Sequence, residues 1–595
     1  MKTINRIFII LAVISCLCCS CSDFLSVYPE NSINSDEFLK TEKDMELYTN
    51  GLLDDYLPSE DAIAFADENS DVLINRNVNP FLDGDTWRPE DQGEWGSGNS
   101  GRWSMLRDIN WYLDRLPRGK NNVSLNVYNH YEGVGRFWRA YFYYFMIRTF
   151  GDVPWYDHEL QVDNADDLYK SRDSRVLVMD KVLEDLNFAS AYCSTEQKEI
   201  VSSTKITRWV ALAFKARVCL FEGTYRKYHT ELNLTSSADK FLREAANACE
   251  ILINESPYGL ATGGDVKTQY RALFTSEKLN QKEVIWGAAY QKELRMHDCT
   301  KKTFNGSVSN GRSFIRQFVN QYLMLDGSRF TDRPGYETMP YNEEFTNRDY
   351  RLSQTIISPE YLKKQGGVNK KYAPNFSITR SGYMPIKWCL DDDTYDNTGT
   401  SYNSLPILRY AEVLLNYAEA KAELGEMDAT IWNKTIKPLR ERAGVSGAIP
   451  ATYDLYLADY YLNQTTDKWI LETRRERSIE LAFEQVRYDD LMRWKLGKLI
   501  EIPKYGVYIG ALDTNYDLNG DGITDLTVSR TGNATATRLV LGVAQNFELS
   551  NGDHGYLLYG ITHNKLWLDK KYLHPIPSTA LEMNPNLLQN PGWEN

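Results

Sequence analysis

The stretch RFWRAYFYYFMIRTFG (Arg136–Gly151) decides the fold class, because as a helix it is apolar on nearly every side. Phe137, Tyr141 and Phe145 recur at helical spacing on one stripe, and Trp138 lies on a neighbouring stripe. A helix that is apolar all round is buried in the core of a large protein. The final glycine, with a proline shortly beyond it, marks the end of the helix. The sequence therefore predicts a buried central helix.

Other stretches have the same periodicity and also predict helices. One helix contains Trp103 and Trp111, which the pattern assigns to the core. The remaining stretches are Thr207–Gly223, Ser237–Ile253 with a serine as its N-cap, Leu408–Gly425, and Ile470–Gly497 as one long, charged, amphipathic helix.

In these stretches small alanines alternate with large rings, which lets helices pack closely as antiparallel pairs. This pattern is typical of tetratricopeptide-like hairpins, although no strict 34-residue period is present. We predict a mainly α fold: a tetratricopeptide-like helical-hairpin scaffold with a large loop-rich face containing short strands, such as Lys282–Tyr290.

The scaffold and the loop-rich face occupy different parts of one domain, residues 21–595. The scaffold covers roughly residues 36–56, 103–256 and 405–498. The loop-rich face covers roughly residues 60–102, 258–404 and 499–570, where Gly, Asn, Asp and Tyr are frequent. Long loops inside a compact protein are usually functional, so we expect the ligand site on this face.

The N-terminus has the features of a secretory signal: a positive start and a short apolar run, Ile7–Ile14. That run is too short to cross a bilayer, which takes about 20 residues. The cysteines that follow, in CLCCSCSD (Cys16–Asp23), lack the paired, spaced ligands of a zinc site. We predict a lipoprotein signal peptide at residues 1–20 and lipidation of Cys21, with Cys19 as the alternative.

Composition excludes some partners and favours others. Acidic residues outnumber basic ones by 81 to 67, giving a net charge of -14, which argues against nucleic acid. The 39 Tyr, 14 Trp and 22 Phe residues suit interfaces and carbohydrate faces. The cysteines beyond the signal are predicted to be buried thiols: Cys193, Cys219, Cys249, Cys299 and Cys389.

The loop Asp83–Trp103 is the first candidate ligand site. No periodic core pattern explains Trp87 and Trp95, which lie among Gly, Asp, Asn and Glu. An aromatic ring can cover the apolar face of a sugar while polar groups bond its hydroxyls. We therefore pair Trp87 with Arg88, and Trp95 with Asn99, as candidate ligand contacts. The alternative is that both tryptophans attach a long loop to the scaffold.

The segment DLNGDGITD resembles the first half of an EF-hand calcium loop, in which closely spaced oxygens meet a hard cation. The glutamate expected at the twelfth position is replaced by Val528. The alternative is a turn rich in Asp and Asn, and any calcium here would be structural. The candidate ligands are Asp517, Asn519, Asp521, Ile523 through its carbonyl, and Asp525.

Five motifs in order resemble the SusD/RagB family of outer-membrane lipoproteins. They are CSDFLSVYPE after the signal, FWRAYFYYFMIRTFGDVPW, LPILRYAEVLLNYAEAKAELG with LRERAGV, ILETRRERSIELAFEQVRYDDLMRW, and the ending YLHPIPSTALEMNPNLLQNPGW. The resemblance spans almost the whole mature chain, and its first motif favours Cys21 as the lipidated residue.

The resemblance implies a surface-exposed protein, held on the outer membrane by its lipid alone, that binds glycans and requires no cofactor. Its partner would be a SusC-like TonB-dependent transporter, which receives the oligosaccharide. The family also builds its site from Trp286–Phe314, where the candidates are Tyr290, Arg295, Asn305 and Arg312.

Three alternatives remain open: a peptide binder of the same family, a subunit that seats the transporter and has little ligand affinity, and a surface glycosidase. The sequence contains no Gly-x-Ser-x-Gly, His-Glu-x-x-His, P-loop or dinucleotide motif, so we expect no enzyme and assign no catalytic residue. A peptide binder would be favoured by an acidic site without aromatic platforms.

Overall fold

Helices form most of the regular structure, and the strands are short. The computed structural model describes residues 38–93, 95, 103–196 and 202–594. The helices there are α1 (Glu42–Tyr56), α2 (Glu60–Ala64), α3 (Trp103–Arg115), α4 (Leu125–Phe150), α5 (Ala165–Leu168), α6 (Arg175–Tyr192), α7 (Arg208–Tyr228), α8 (Ala238–Glu255), α9 (Gln269–Thr275), α10 (Cys299–Phe304), α11 (Arg316–Val319), α12 (Tyr350–Thr355), α13 (Tyr410–Glu423), α14 (Ala429–Lys434), α15 (Ile436–Arg442), α16 (Leu455–Tyr460), α17 (Lys468–Glu480), α18 (Arg487–Arg493) and α19 (Ser578–Met583). The strands are β1 (Leu73–Ile74), β2 (Val284–Ala288), β3 (Ser313–Phe314), β4 (Leu362–Gln365), β5 (Val368–Lys371), β6 (Leu405–Arg409), β7 (Tyr505–Ile509), β8 (Asn515–Tyr516), β9 (Leu526–Ser529), β10 (Arg538–Val540), β11 (Phe547–Leu549) and β12 (Gly555–Tyr559).

Helix α4 is the predicted buried helix, and it starts earlier than the apolar run. Its N-cap is Ser124, whose side chain accepts a hydrogen bond from a backbone amide of the first turn, and it ends at Gly151 with φ 74°. The added first turns contain Gly133 and Gly135, which weaken the helical signal in the sequence. In the structure a Cβ at Gly135 would lie 2.7 Å from a methyl of Leu113, so the glycine allows close packing.

The helices stack in chain order and form the scaffold. α4 packs against α3 and α6, α6 against α7, α7 against α8, α8 against α13, and α13 against α17. The shared core of this stack contains the rings of α4 and the alanines of α8 and α13. The mainly α, tetratricopeptide-like architecture with few short strands is confirmed.

A threonine and a serine stand at the N-termini of α7 and α8. Thr207, where the predicted stretch begins, is the N-cap of α7, and its side chain accepts a hydrogen bond from the Val210 amide. Ser237 stands at the N-cap position of α8 but makes no capping bond. Its hydroxyl donates to the Leu234 carbonyl at 2.7 Å and accepts from Arg226, so the predicted serine cap is wrong.

The segment predicted as a helix from Leu408 begins as a strand. β6 pairs antiparallel with β2, which confirms the strand predicted within Lys282–Tyr290. The helix α13 therefore starts at Tyr410. The apolar run is compatible with either element, and the pairing partner decides in favour of the strand.

The predicted long helix over residues 470–497 is two helices. α17 ends at Glu480 and α18 begins at Arg487. Between them Phe483 and Gln485 have φ of 65° and 70°, which a right-handed helix does not allow. The chain therefore turns in the middle of a charged, periodic segment.

The charges on α17 face the protein interior. Every residue from Ile470 to Glu480 is buried. The Glu480 carboxylate forms ion pairs with Arg351 at 2.8 Å, with Arg409 at 2.6 Å, and with Arg442. Charges are buried only when they are paired, so this charged stretch belongs to the core. The prediction of one long amphipathic helix is wrong.

The remaining strands form small sheets. β1 pairs with β3, β4 with β5, and two three-stranded sheets, β10-β9-β8 and β11-β12-β7, follow α18. The five cysteines of the described part are buried and free, as predicted: Cys193, Cys219, Cys249, Cys299 and Cys389.

Candidate functional site

A cleft of about 820 Å³ opens beside Trp95. Its walls are the first turns of α3, the loop after α4, and α19 with the residues that follow it. Small-molecule sites commonly measure about 300–1,000 Å³, so the cleft has room for several sugar rings. The aromatic residues that line it are Trp95, Trp103, Tyr156 and Tyr169.

The rings at the cleft pack on one another and on the scaffold. Trp95 meets Trp103 edge to face at 5.7 Å and Phe150 at 5.1 Å. Trp103 in turn contacts Phe142 at 5.3 Å and Tyr156 at 6.0 Å. Trp95 and Trp103 are both partly exposed. Each ring is thus fixed by the core while part of it faces the cleft.

Asn110 supplies a polar group at the floor of the cleft. Its Nδ2 donates to the backbone carbonyls of Tyr156 at 3.1 Å and His158 at 3.0 Å. The residue is 1% exposed, and its Oδ1 has no hydrogen-bond partner among the residues the structure describes. A buried acceptor without a partner costs free energy.

His158 stands on the wall of the cleft between two carboxylates. Its ring nitrogens lie 3.1 Å from Asp157 and 3.0 Å from Asp167. Hydrogen bonds with Asp167 and Asp157 raise the pKa of His158. The contact between His158 and Asp167 joins two parts of the segment that follows α4 and so shapes this wall. The described lining itself contains no Asp or Glu side chain.

The two sides of the cleft are tied together and carry an apolar rim. The side-chain amide of Asn584 donates to the Lys170 carbonyl at 2.9 Å, which joins the C-terminal segment to the loop after α4. On the rim Leu168 is 39% exposed, Tyr169 51% and Met583 70%. Exposed apolar groups that surround a cleft mark a surface that meets a ligand or partner.

Trp87 and Arg88, the first predicted pair, lie outside the cleft lining. Trp87 packs edge to face on Phe81 at 6.0 Å, and its indole N–H is buried without an acceptor in the described part of the chain. The Arg88 guanidinium donates to the Asp85 carbonyl at 2.9 Å. Trp87 therefore attaches its loop to the protein, and ligand contact by this pair stays a prediction.

Tyr290 and Arg295 form a pair of their own. Tyr290 is 6% exposed, and burial raises its pKa to about 12. The Arg295 guanidinium lies 4.8 Å from the centroid of the Tyr290 ring and is itself exposed. Arg295 therefore remains available to a ligand, while the tyrosine ring is largely covered.

Asn305 and Arg312 already have protein partners. Asn305 donates to the Asp396 carbonyl at 3.2 Å. Arg312 forms an ion pair with Glu68 at 3.1 Å, and its guanidinium lies 4.0 Å from the Phe65 ring centroid. Their roles in ligand binding stay predictions.

Among the predicted ligand residues that the structure describes, Trp95 is the one that lines the cleft. Asn99 and Cys21, like the signal peptide at residues 1–20, lie outside the described residues.

The predicted calcium loop is a compact turn. Asp517 accepts three hydrogen bonds from amides of the loop, and Asn519, Asp521 and Asp525 also accept backbone bonds, while Ile523 is 66% exposed. Burial raises the pKa of Asp525, and the charges of Asp521 and Asp517 raise it further. Across the described residues, no group of three His, Cys, Asp or Glu side chains has a metal-binding arrangement. Calcium binding stays a prediction.

The sequence patterns did not identify several residues of the cleft and assigned one of them to the core. Trp103 follows a helical core pattern, and in the structure it serves both core and cleft. Asn110 and Tyr156 gave no local signal. Asn584 lies in the C-terminal NPNL motif, which the sequence shows as a motif but does not connect to α3.

Comparison with known proteins identifies the family to which the chain belongs. Residues 272–593 match the sequence model described as the SusD family. The chain belongs to the SusD family. Residues 23–220, which include most of the cleft, match a second model described as SusD-like, starch-binding and associating with the outer membrane.

Individual relatives of this SusD-family protein are distant but similar in length. SusD-like protein P38 from Formosa agariphila is 24% identical over 550 residues, covering 84% of this chain and 93% of the relative. A solved SusD-like protein from Bacteroides fragilis has a TM-score of 0.68 at 19% identity, covering 94% of this chain and 98% of that one. A SusD-like carbohydrate binding protein from the same species has a TM-score of 0.67 at 20% identity, covering 93% and 100%. These structures establish the fold.

The family assignment supports carbohydrate binding at the outer membrane. None of the helices in the described part of the chain combines the length and the apolar character needed to cross a bilayer.

Proposed function

We propose that this protein captures an oligosaccharide in the aromatic cleft at the cell surface and passes it to a SusC-like TonB-dependent transporter. The observation that carries the proposal is the set of part-exposed rings, Trp95, Trp103 and Tyr169, around one cleft. Flat aromatic faces suit the apolar C–H faces of sugar rings. The unpaired Oδ1 of Asn110 would accept a sugar hydroxyl.

The lining of the cleft favours a glycan over a peptide. A peptide site was expected to be acidic and to lack aromatic platforms. The described lining has four aromatic residues and no carboxylate. One protein of similar fold is named a carbohydrate binding protein, which agrees with this choice.

Calorimetric titration of the soluble form, starting after Cys21, tests the proposal. The panel contains plant, microbial and host glycans and a peptide mixture. We expect binding to one glycan class, and we expect Trp95→Ala to weaken it about tenfold, which corresponds to about 1.4 kcal/mol. Trp87→Ala in the same series tests the separate prediction that Trp87 contacts ligand. A folded protein that binds no glycan, or binds only peptides, contradicts the proposal.

The tether is a separate part of the proposal. Lipidation of Cys21 with more than one acyl chain would hold the protein on the outer membrane, because each buried methylene contributes about 0.8 kcal/mol. We expect Cys21→Ala to move the protein from the membrane fraction to the soluble fraction of cells. A Cys21→Ala protein that stays membrane-bound through Cys19 would shift the anchor to that residue.

A second candidate function is seating of the transporter without ligand binding, and the apolar rim favours it. Leu168, Tyr169 and Met583 would be covered by a partner protein rather than by sugar. Met583→Glu would then abolish co-purification with the outer-membrane transporter, and glycan titrations would stay flat. Under the capture proposal Met583→Glu weakens glycan binding and the complex persists.

A further inference from the structure

A second groove lies on the loop-rich side of the protein. It measures about 750 Å³ and runs between α9 and the segment 342–362, which contains α12. Its lining mixes polar and apolar groups and includes three cationic and three acidic side chains. No predicted ligand residue lines it, and it shares no lining residue with the aromatic cleft.

Each carboxylate of the groove forms an ion pair, although Arg351, the partner of Asp349, is shared with Glu476 and Glu480. The pairs are Asp391 with Arg271 at 2.5 Å, Asp349 with Arg351 at 2.7 Å, and Glu360 with Lys371 at 3.2 Å. Arg271 is paired with Asp391, so the two lining cations outside these ion pairs are Arg348 and Lys267.

Arg348 is a buried cation that makes no close ion pair within the described residues, although the charges of Glu344 and Asp349 act on it from beyond 4.0 Å. It is 2% exposed, and its guanidinium donates to the backbone carbonyls of Glu344 at 2.9 Å, Val319 at 2.7 Å and Tyr322 at 2.9 Å. Within the described residues no carboxylate oxygen lies within 4.0 Å of it, and its Nε has no hydrogen-bond partner. Burial lowers the pKa of Arg348 to about 9. An incompletely neutralised charge in the wall of a groove attracts an anion into it.

Lys267 is a second cation for which the described part of the chain provides no ion-pair partner, and it stands beside an aromatic ring. Its ammonium is exposed and lies 5.6 Å from the centroid of the Tyr350 ring. The ring is partly exposed and is held against Gly444, where a Cβ would lie 2.6 Å from it and where φ is 76°. Glycine at this position lets the ring sit close to the backbone and fixes its orientation.

We propose that this groove is a second binding site, which takes an acidic sugar residue carrying a carboxylate or a sulfate group. Tyr350 covers the face of the sugar ring, Lys267 contacts the anionic group, and the field of Arg348 favours negative charge. The hydroxyl of Ser353 and the amide of Asn342, which also line the groove, are suited to sugar hydroxyls. The inference rests on the proposed function only for the class of ligand, a glycan, and not for the site.

The test compares charged and uncharged forms of the same oligosaccharide on the soluble protein. Hexagalacturonate provides the carboxylate, its methyl ester provides the same backbone without charge, and a κ-carrageenan hexasaccharide provides sulfate. We expect at least one acidic probe to bind about tenfold more tightly than the methyl ester at low salt, with the difference shrinking at high salt. The two acidic probes distinguish carboxylate from sulfate as the preferred group.

Variants assign the binding to the groove. Lys267→Gln should weaken the acidic probe about fivefold, and Lys267→Glu more, since Lys267 is exposed and its charge acts through solvent. Lys434→Gln removes an equally exposed lysine elsewhere and should change nothing. Tyr350→Leu should weaken both charge forms of the probe.

Equal binding of the acid and the ester, or equal effects of Lys267→Gln and Lys434→Gln, would overturn the second site. Trp95→Ala separates this result from the proposed function. Acidic binding that survives Trp95→Ala and falls with Lys267→Gln supports the groove even if the cleft binds nothing. Acidic binding that is lost in Trp95→Ala and kept in Lys267→Gln places the ligand in the cleft and rejects the groove.

Discussion

The interior around Glu480 and the cleft beside Trp95 use polar and aromatic groups in opposite ways. Around Glu480, charges are buried and their partners are other side chains: Arg351, Arg409 and Arg442 surround one carboxylate. At the cleft the rings are only partly covered, and Asn110 keeps an acceptor without a partner in the described chain. The charges of the first region are paired within the protein, whereas the rings of the second stay part-exposed.

The difference shows where function is placed in this fold. A buried ion-pair cluster adds little to stability over an apolar core, but removing one partner leaves an uncompensated charge. The cluster therefore fixes how α17 meets its neighbours. The cleft contributes less to the fold, so its side chains can be chosen for a ligand.

The largest effect is expected from Glu480→Gln. It leaves three buried guanidinium groups short of one negative charge, which should lower the free energy of unfolding by about 3–5 kcal/mol. Urea denaturation measures the loss. The matched control is Glu360→Gln, whose ion pair with Lys371 is on the surface with the glutamate side chain 83% exposed, and which should cost less than about 1 kcal/mol. Equal losses in the two variants would show that the buried cluster is not special.

Acid should weaken the buried region around α17. Burial alone would raise the pKa of Glu472, but the charges of Arg475 and Arg440 lower it to about 2. Its stabilising contribution is therefore complete above the pKa of an unfolded glutamate, about 4.3, and is lost as pH falls from there toward 2. The difference in urea midpoint between wild type and Glu472→Gln should narrow between pH 6 and pH 3. A constant difference would contradict the pairing.

Two variants separate stability from binding at the cleft. Trp95→Ala removes a ring that packs on Trp103 and Phe150, so it should lower both the affinity for glycan and the free energy of unfolding, the latter by about 1–3 kcal/mol. Met583→Ser changes a rim residue that is 70% exposed and should weaken binding with stability changed by less than about 0.5 kcal/mol. A large stability loss in Met583→Ser would show that the rim is structural.

The smallest effect is expected at the loop 517–525. If it binds calcium, 1 mM CaCl2 should raise the melting temperature by about 1–3 °C, because a ligand that binds only the folded state stabilises it. Asp517→Asn should remove the shift, since Asp517 is the first predicted ligand. A shift that persists in Asp517→Asn, or no shift in the wild type, would leave the loop as a turn held by its own backbone bonds.

Much of the fold was predictable because its signals are local. The apolar run of α4 and the alanine–ring pattern each depend on residues a few positions apart. The burial of α17 was not predictable in this way. Glu480 meets Arg351 across 129 positions and Arg409 across 71, and a charged helix seen alone has the composition of a surface helix.

The candidate site was predictable only in part, for the same reason. Trp95 stood out because no core pattern explained it. Tyr156 and Asn584 line the same cleft as Trp95 only because the chain folds back after α4 and the C-terminal segment returns to α3. The helical spacing of Trp103 assigned it to the core. One side of its ring does pack on the core, but the other side faces the cleft.

A glycan titration of two variants in the same helix tests most directly whether the cleft is the glycan site. Trp103 lines the cleft, whereas Trp111, two turns further along α3, is partly buried against Tyr48 outside it. With the best ligand from the panel, we expect Trp103→Leu to weaken binding about tenfold or more and Trp111→Leu to leave it unchanged. Equal affinities in the two variants, both folded, would contradict the cleft as the glycan site.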